Sequence, residues 1–227
     1  MQPLATQANL TDRVYRAILD EILDGRLAAG EHLIQEQLAI GLGVSRQPVQ
    51  QAMILLKADG LVEESGRRGM RVAPINIARV ADHYELRGVL DGHAARLAAE
   101  RVSEGNADTA ALVERTKTRL LGQESAIKDG SIAELIRHDE AFHHAIYAFS
   151  GNSALAEIAA PTWRSVRRAM AHVLHHFKPP EEVLPEHRAI LQAILDGDPT
   201  QAAALSQDHA RSACERLMLP LNEGDRK

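Results

Sequence analysis

The chain has 227 residues, of which 45% are hydrophobic and only 3% aromatic, a combination that favours two mostly helical domains packed through aliphatic side chains. Its formal charge of -5, from 26 basic and 31 acidic residues, argues against a protein that coats nucleic acid or an anionic membrane without selectivity. The N-terminus lacks a signal-peptide pattern and no segment approaches the roughly 18 apolar residues of a membrane span, so we expect a cytoplasmic protein with no membrane partner.

The first 74 residues have the pattern of a winged helix-turn-helix. Apolar residues at helical spacing predict a first helix from about residue 11 to Gly25, followed by a turn over residues 27–32. A second helix is predicted over about residues 34–42, and Ser45 is placed to cap a third. Two helices separated by about three residues have the spacing of a helix-turn-helix.

The third helix is the candidate DNA-reading element. Its apolar positions, which include Val49 and Met53, define a buried side. The opposite side has a polar N-terminal end, and a recognition helix inserts this end into the major groove. The polar residues at this end are Ser45, Arg46, Gln47, Gln50 and Gln51.

A hairpin with a basic tip is predicted directly after the third helix. Short apolar runs over residues 61–64 and 70–73 flank a turn that contains Arg67, Arg68 and Gly69. Residues 45–74 contain five basic and three acidic side chains, so this region is net +2 in an acidic protein. The hairpin is therefore interpreted as a wing that supplies a local positive patch for DNA.

The segment GVSRQPVQQAMILLKADGLV, followed by GRRGMRV, resembles the DNA-binding domain of the GntR family of bacterial transcription regulators over about residues 11–74. The family usually has Arg-Glu after the Pro-Val, whereas Gln50 and Gln51 stand here. Glutamine can pair bidentately with adenine where arginine prefers guanine. Gln50 therefore either shifts the operator sequence or contacts only phosphate or water.

The remainder of the chain is predicted to be an all-helical bundle, joined to the winged domain (residues 1–74) by a linker over residues 75–76. The bundle domain is placed at residues 77–219, before a tail over 220–227, and Pro161 is expected to kink or interrupt its fourth helix. Breaks rich in glycine, proline and serine predict six helices, at about 77–102, 107–129, 132–150, 153–177, 181–196 and 199–218.

Four metal-ligand side chains fall on helix faces that should be buried. Asp139 and His143 are four residues apart on the third bundle helix, so they are neighbours on one face. His187 and His209 lie in the middle of the apolar faces of the fifth and sixth helices. A single such histidine is more often a hydrogen-bonded core residue, but the four together supply the ligands for a divalent transition metal in a bundle core.

The second domain also resembles a known family. Residues 77–218, with ELRGVLDGHAARLAAE, DEAFHHAI followed by SGN, EHRAIL and DHARSA, resemble the FCD-type ligand-binding domain of the FadR subgroup. In metal-binding members the ligands fall where Asp139, His143, His187 and His209 stand, which implies an ion of the Zn, Ni or Mn class.

The same resemblance implies a small carboxylate effector. Arg87 corresponds to an arginine that the family often turns toward the effector, and a guanidinium beside a metal favours a bound carboxylate. The alternative is that Arg87 only pairs with an acid such as Asp91. Asn152 is most simply a helix cap, with a place in the effector pocket as the second interpretation.

Two alternatives concern the chemistry of the site. His138 and Asp139 form the doublet of HD-type phosphohydrolases, but His138 points away from the buried face and no general base is evident, so we predict that the chain is not an enzyme. The Glu140–His144 pair is rotated about 100° from the buried face and is expected to face solvent. A purely structural metal is the other alternative.

The sequence therefore predicts a metal-containing, effector-responsive transcription regulator that acts as a repressor. Proteins of this kind bind double-stranded, pseudo-palindromic operators as homodimers, with recognition helices roughly 34 Å apart. The effector would have to bind one arrangement of the regulator better than another, because a ligand indifferent to both shifts nothing.

Overall fold

The computed structural model describes residues 7–66, 69–105 and 108–224. These residues form two compact units, the first ending at Ile75 and the second beginning at Asn76. Helices dominate both units, and the predicted fold class, a winged helix-turn-helix followed by a helical bundle, is confirmed. None of the helices in the described ranges is long and apolar enough to cross a membrane.

The first unit combines three helices with a small antiparallel sheet. Its elements are α1 (Gln7–Leu23), β1 (His32–Leu33), α2 (Gln35–Leu42), α3 (Arg46–Ala58), β2 (Val62–Ser65) and β3 (Gly69–Val72). The sheet order is β1-β3-β2, with Leu33 opposite Met70 and Val62 opposite Val72. The wing therefore has a third strand.

One expectation for this unit was wrong, and another is refined by the structure. Helix α1 begins at Gln7 rather than near residue 11. Thr11 therefore lies inside the helix, where it donates its hydroxyl to Gln51 Oε1 at 2.7 Å. The predicted turn is present over residues 27–31, but its last predicted residue, His32, begins β1, which pairs with β3 about 40 positions further along the chain. No local sequence pattern predicts a strand of only two residues.

The helix-turn-helix is held by a shared apolar core. Val49, Met53 and Leu56 of α3 are fully buried, together with Ile18 and Ile22 of α1. Burying one such aliphatic side chain contributes about 1.5–3 kcal/mol to folding. The turn after α2 needs a left-handed residue, and Gly43 supplies it with φ 64°.

The second unit is a bundle of six helices. They are α4 (Ile77–Ser103), α5 (Thr109–Asp129), α6 (Ile132–Phe149), α7 (Ala154–Leu174), α8 (Val183–Leu195) and α9 (Pro199–Gly224). Helix α4 packs against α6, α7, α8 and α9, and Asn76 caps it by accepting a hydrogen bond from the Arg79 amide at 3.0 Å. The central helix of the bundle thus begins at the boundary between the units.

An internal proline interrupts neither α7 nor α9. Helix α7 continues through Pro161, contrary to an interruption, and its buried neighbours Ala159 and Trp163 anchor the chain on both sides of the proline. Helix α9 continues through Pro220 to Gly224, so residues 220–224 are helical rather than tail. Packing of the flanking turns outweighs the cost of one lost backbone hydrogen bond.

Candidate metal centre and DNA-reading surface

The four predicted metal ligands are buried side by side in the bundle. Asp139 and His143 come from α6, His187 from α8 and His209 from α9, and each residue is at most 4% exposed. His187 Nε2 lies 3.3 Å from His209 Nε2 and 3.5 Å from Asp139 Oδ1. One ring nitrogen from each of the three histidines lies within 4.8 Å of the others.

The Nδ1 atom of each of the three histidines contacts a polar side chain outside the ligand cluster. His143 Nδ1 lies 3.2 Å from an Asp91 carboxylate oxygen, and His209 Nδ1 lies 2.7 Å from Glu186 Oε2. His187 Nδ1 lies 3.2 Å from Gln123 Oε1. Because these partners are acceptors, each Nδ1 carries the proton and donates it, which leaves the lone pair on Nε2.

Burial keeps the three rings neutral. It lowers the pKa of His143 and His209 below the usual histidine value, and it lowers the pKa of His187 further. Burial also raises the pKa of Asp139. Neutral imidazole is the form that binds metal, and two Nε2 lone pairs 3.3 Å apart are an arrangement that a shared cation stabilises. The donor set therefore fits a divalent transition ion.

Gln123 connects two of the candidate ligands. It lies on α5, is fully buried, and donates from Nε2 to Asp139 Oδ1 at 3.3 Å while accepting from His187. Sequence analysis missed it, although it follows Leu112, Thr116 and Leu120 along the buried side of α5. A polar residue in that series was the available signal.

Glu186 orients His209 and is itself held by a cation. Arg216 donates to both carboxylate oxygens of Glu186, with two N–O distances of 2.8 Å. Although partial burial opposes ionisation, the hydrogen bonds from His209 and Arg216 lower the pKa of Glu186 to about 2. The Glu186 carboxylate therefore remains charged and accepts a hydrogen bond from His209 Nδ1.

Arg87 lies against the histidine cluster and is 1% exposed. Its Nε donates to Asp91 Oδ2 at 3.0 Å, and its Nη2 lies 2.7 Å from His143 Nε2. The guanidinium also covers the ring of Trp163, with its central carbon 4.1 Å from the ring centroid. Arg87 thus pairs with Asp91, as one interpretation expected, and also contacts His143, one of the candidate metal ligands.

Asp91 is the acceptor at the centre of this network. It takes hydrogen bonds from Arg87, from His143 and from the Tyr147 hydroxyl, which in turn accepts from Trp163 Nε1 at 3.1 Å. Burial opposes ionisation, but His143 and Arg87 outweigh it and hold the pKa of Asp91 below its usual range. The Arg87–Asp91 pair is therefore ionised in the bundle interior.

Asn152 is not brought to the cluster. It is exposed in the turn between α6 and α7, and its Oδ1 accepts from the Ala154 amide at 3.1 Å. This contact to an amide two residues ahead forms a turn just before α7, whose cap position is occupied by Ser153.

Two expectations about neighbouring histidines are corrected or refined. Glu140 and His144 face solvent only in part, because their side chains are 24% and 34% exposed and Glu140 lies 3.6 Å from Arg167. His138 is half-buried. Its Nε2 lies 4.0 Å from Glu134 Oε2, and it is not one of the clustered histidines.

The predicted DNA-reading residues lie on the exposed side of α3. Ser45, Arg46, Gln47 and Gln50 are all exposed, whereas Pro48 is buried. Arg46 forms an ion pair with Glu36 of α2. The predicted wing contacts Arg67 and Arg68 lie outside the described residues, and Gly69 begins β3.

Acidic partners moderate the positive charge of this surface. Lys57 lies 2.5 Å from Glu64, and Arg71 lies 2.6 Å from Glu63. Such exposed pairs add little stability, but they reduce the charge available to phosphates.

Each of the two units matches a known protein family. The model of the bacterial regulatory protein gntR family matches residues 10–72, and the FCD domain model matches residues 82–212. An HTH-type transcriptional regulator in an unstable DNA locus of Streptomyces ambofaciens is 31% identical over 205 residues, covering 90% of this chain and 83% of the relative. The HTH-type regulator YdhC of Bacillus subtilis is 28% identical over 222 residues, covering 92% of each chain.

The fold is also found among solved structures. McbR/YncC of E. coli superimposes with a TM-score of 0.78 at 21% sequence identity, covering 93% of this chain and 98% of that one. This similarity extends over both units and concerns the fold alone.

Proposed function

Because the chain belongs to the GntR family of bacterial regulatory proteins and carries an FCD domain, we propose that it is a metal-containing repressor released from DNA by a small carboxylate. It is a DNA-binding transcription regulator and not an enzyme. The metal, the effector and the sign of regulation make up the proposal. The operator we propose is a pseudo-palindrome bound by a homodimer in the cytoplasm.

One observation carries the metal proposal. His187 and His209 direct Nε2 toward each other at 3.3 Å, and one ring nitrogen of the buried His143 lies within 4.8 Å of one ring nitrogen of each of them. Asp91, Gln123 and Glu186 accept from the Nδ1 atoms of the three rings. Metal-binding histidines generally have such an acceptor behind the ring. We propose that Asp139, His143, His187 and His209 hold one ion of the Zn, Ni or Mn class.

The effector proposal rests on charge. A divalent ion with one carboxylate and three neutral imidazoles retains about one positive charge, and it would offer open coordination positions to an anion. Arg87 adds a guanidinium beside His143, and such a planar fork can bind a carboxylate through two parallel hydrogen bonds. Asn152 is left out because its exposed side chain accepts from the Ala154 amide in the turn before α7.

Helix α4 is the physical link that we propose for regulation. It begins at Ile77, directly after the winged unit, and carries Arg87 at the ligand cluster. A carboxylate that binds Arg87 competes with the Arg87–Asp91 contact and so favours a different position of this helix. Coupling of this kind typically changes affinity by about 5- to 150-fold.

Thermal unfolding of the full-length protein tests metal and effector together. Metal at about 100 times its dissociation constant is expected to raise the melting temperature by about 5–10 °C, because binding at this excess stabilises by about 2.7 kcal/mol. Small carboxylates are then expected to raise it further only when metal is present. Equal carboxylate shifts in chelator-treated protein would contradict the shared site.

Operator binding measured with and without the same carboxylate tests the sign of regulation. Adding the carboxylate is expected to weaken operator binding. Tighter binding would reverse the proposed sign, and stabilisation by metal without any carboxylate effect would indicate a structural ion.

Gln123 provides an independent test of the ligand geometry. Gln123→Leu preserves size but removes the partners of His187 Nδ1 and Asp139 Oδ1, so we expect metal affinity to fall by about 10- to 100-fold. Affinity is measured by competition with a chelator of known strength. Gln192→Leu, on the exposed side of α8, is the matched control and should bind metal normally. An unchanged affinity in Gln123→Leu would refute its positioning role.

A further inference from the structure

The exposed side of α3 is apolar beyond its polar N-terminal end. Ile54 is 64% exposed and Leu55 is 47% exposed, whereas Ala52, Met53 and Leu56 are fully buried. Ile54 follows Gln50 by four residues, so both lie on the same line along the helix. The surface that faces DNA therefore continues into an uncharged, aliphatic side chain.

The polar neighbours of Ile54 differ in how they are engaged. Gln51 is tied to α1, because Oε1 accepts the Thr11 hydroxyl at 2.7 Å. Arg46 is paired with Glu36. Within the described part of the chain no side-chain hydrogen bond engages Gln50, so its amide can turn to a base edge. Gln50 and Ile54 are thus the adjacent reading positions.

We propose that Ile54 is a specificity-determining residue that packs against the methyl group of a thymine in the major groove. An isoleucine gains nothing from a phosphate, and the thymine methyl is the apolar group that base edges present in this groove. Gln50 and Ile54 are about 6 Å apart along the helix axis. Base pairs rise by about 3.4 Å, so this thymine lies one or two steps from the base that Gln50 contacts.

The consequence is a half-site read through A·T pairs. Glutamine pairs bidentately with adenine, and Ile54 adds a thymine close to it. The proposal extends the DNA-binding function and does not depend on the metal or the effector.

Thymine-to-uracil replacement tests the contact, because it removes only the methyl group. The probe is a duplex selected from a randomised library by the full-length wild-type protein, with each thymine of one half-site replaced in turn. At one position we expect wild-type affinity to fall about fourfold, the value of one buried methyl group. In Ile54→Ala the same replacement should leave the affinity for DNA unchanged.

Two further variants keep the test decisive. Ile54→Gln is expected to change the selected base at that position from thymine to adenine, a result that loss of folding cannot produce. Leu121→Ala removes an aliphatic side chain of α5 that is 54% exposed, and this variant should retain the wild-type uracil profile. Uracil replacement that costs the same in wild type and Ile54→Ala at every position would overturn the proposal.

Discussion

Replacing His143 and His209 together with alanine is expected to reduce bound metal from about one ion per chain to less than about 0.1, because an ion with two remaining protein ligands is not retained. Both side chains lie at the centre of the buried cluster, and His187 Nε2 is 3.3 Å from His209 Nε2. Metal content is measured by elemental analysis after exhaustive dialysis. The carboxylate-dependent rise in melting temperature should disappear in the same variant.

A matched pair of exposed histidines controls for that experiment. His93 on α4 and His175 after α7 are both exposed, so His93→Ala plus His175→Ala removes the same number of imidazoles without entering the bundle interior. This variant should keep its full metal content. Stoichiometric metal in the variant lacking His143 and His209 would show that the ion is bound elsewhere.

Arg46→Ala is expected to weaken operator binding by about 5- to 150-fold per half-site, equivalent to the 1–3 kcal/mol of one good base contact. Arg46 is exposed at the start of α3, where a recognition helix enters the major groove. If it also meets a phosphate, the slope of log affinity against log salt should fall by about 1. Binding is measured over a range of salt concentrations by fluorescence anisotropy.

The ion pair between Arg46 and Glu36 sharpens this experiment. Removing Arg46 leaves the Glu36 carboxylate facing DNA, so part of the loss should be recovered in Arg46→Ala plus Glu36→Gln. Arg137→Ala, an exposed arginine of α6 paired with Glu134, is the control and should bind the operator normally. Unchanged affinity and unchanged salt dependence in Arg46→Ala would remove it from the DNA-reading surface.

Local signals in the chain predicted most of the fold. Gly43 and Ser45 mark the turn and the start of α3, and glycine- or proline-rich breaks separate the bundle helices at nearly the observed positions. Helical periodicity also placed Asp139, His143, His187 and His209 on buried faces, and their burial confirms that placement. These features depend on residues within a few positions of one another, so a single sequence contains them.

Contacts between distant segments were decided only by the tertiary structure. Periodicity states which face of a helix is buried, but it does not state which helix covers that face. The partnership of Gln123 with His187, 64 residues away, and that of Thr11 with Gln51, 40 residues away, arise when the helices pack. The sequence alone therefore determined the helices and their buried faces, whereas packing determined the side chains that orient the candidate metal ligands and the strand that completes the wing.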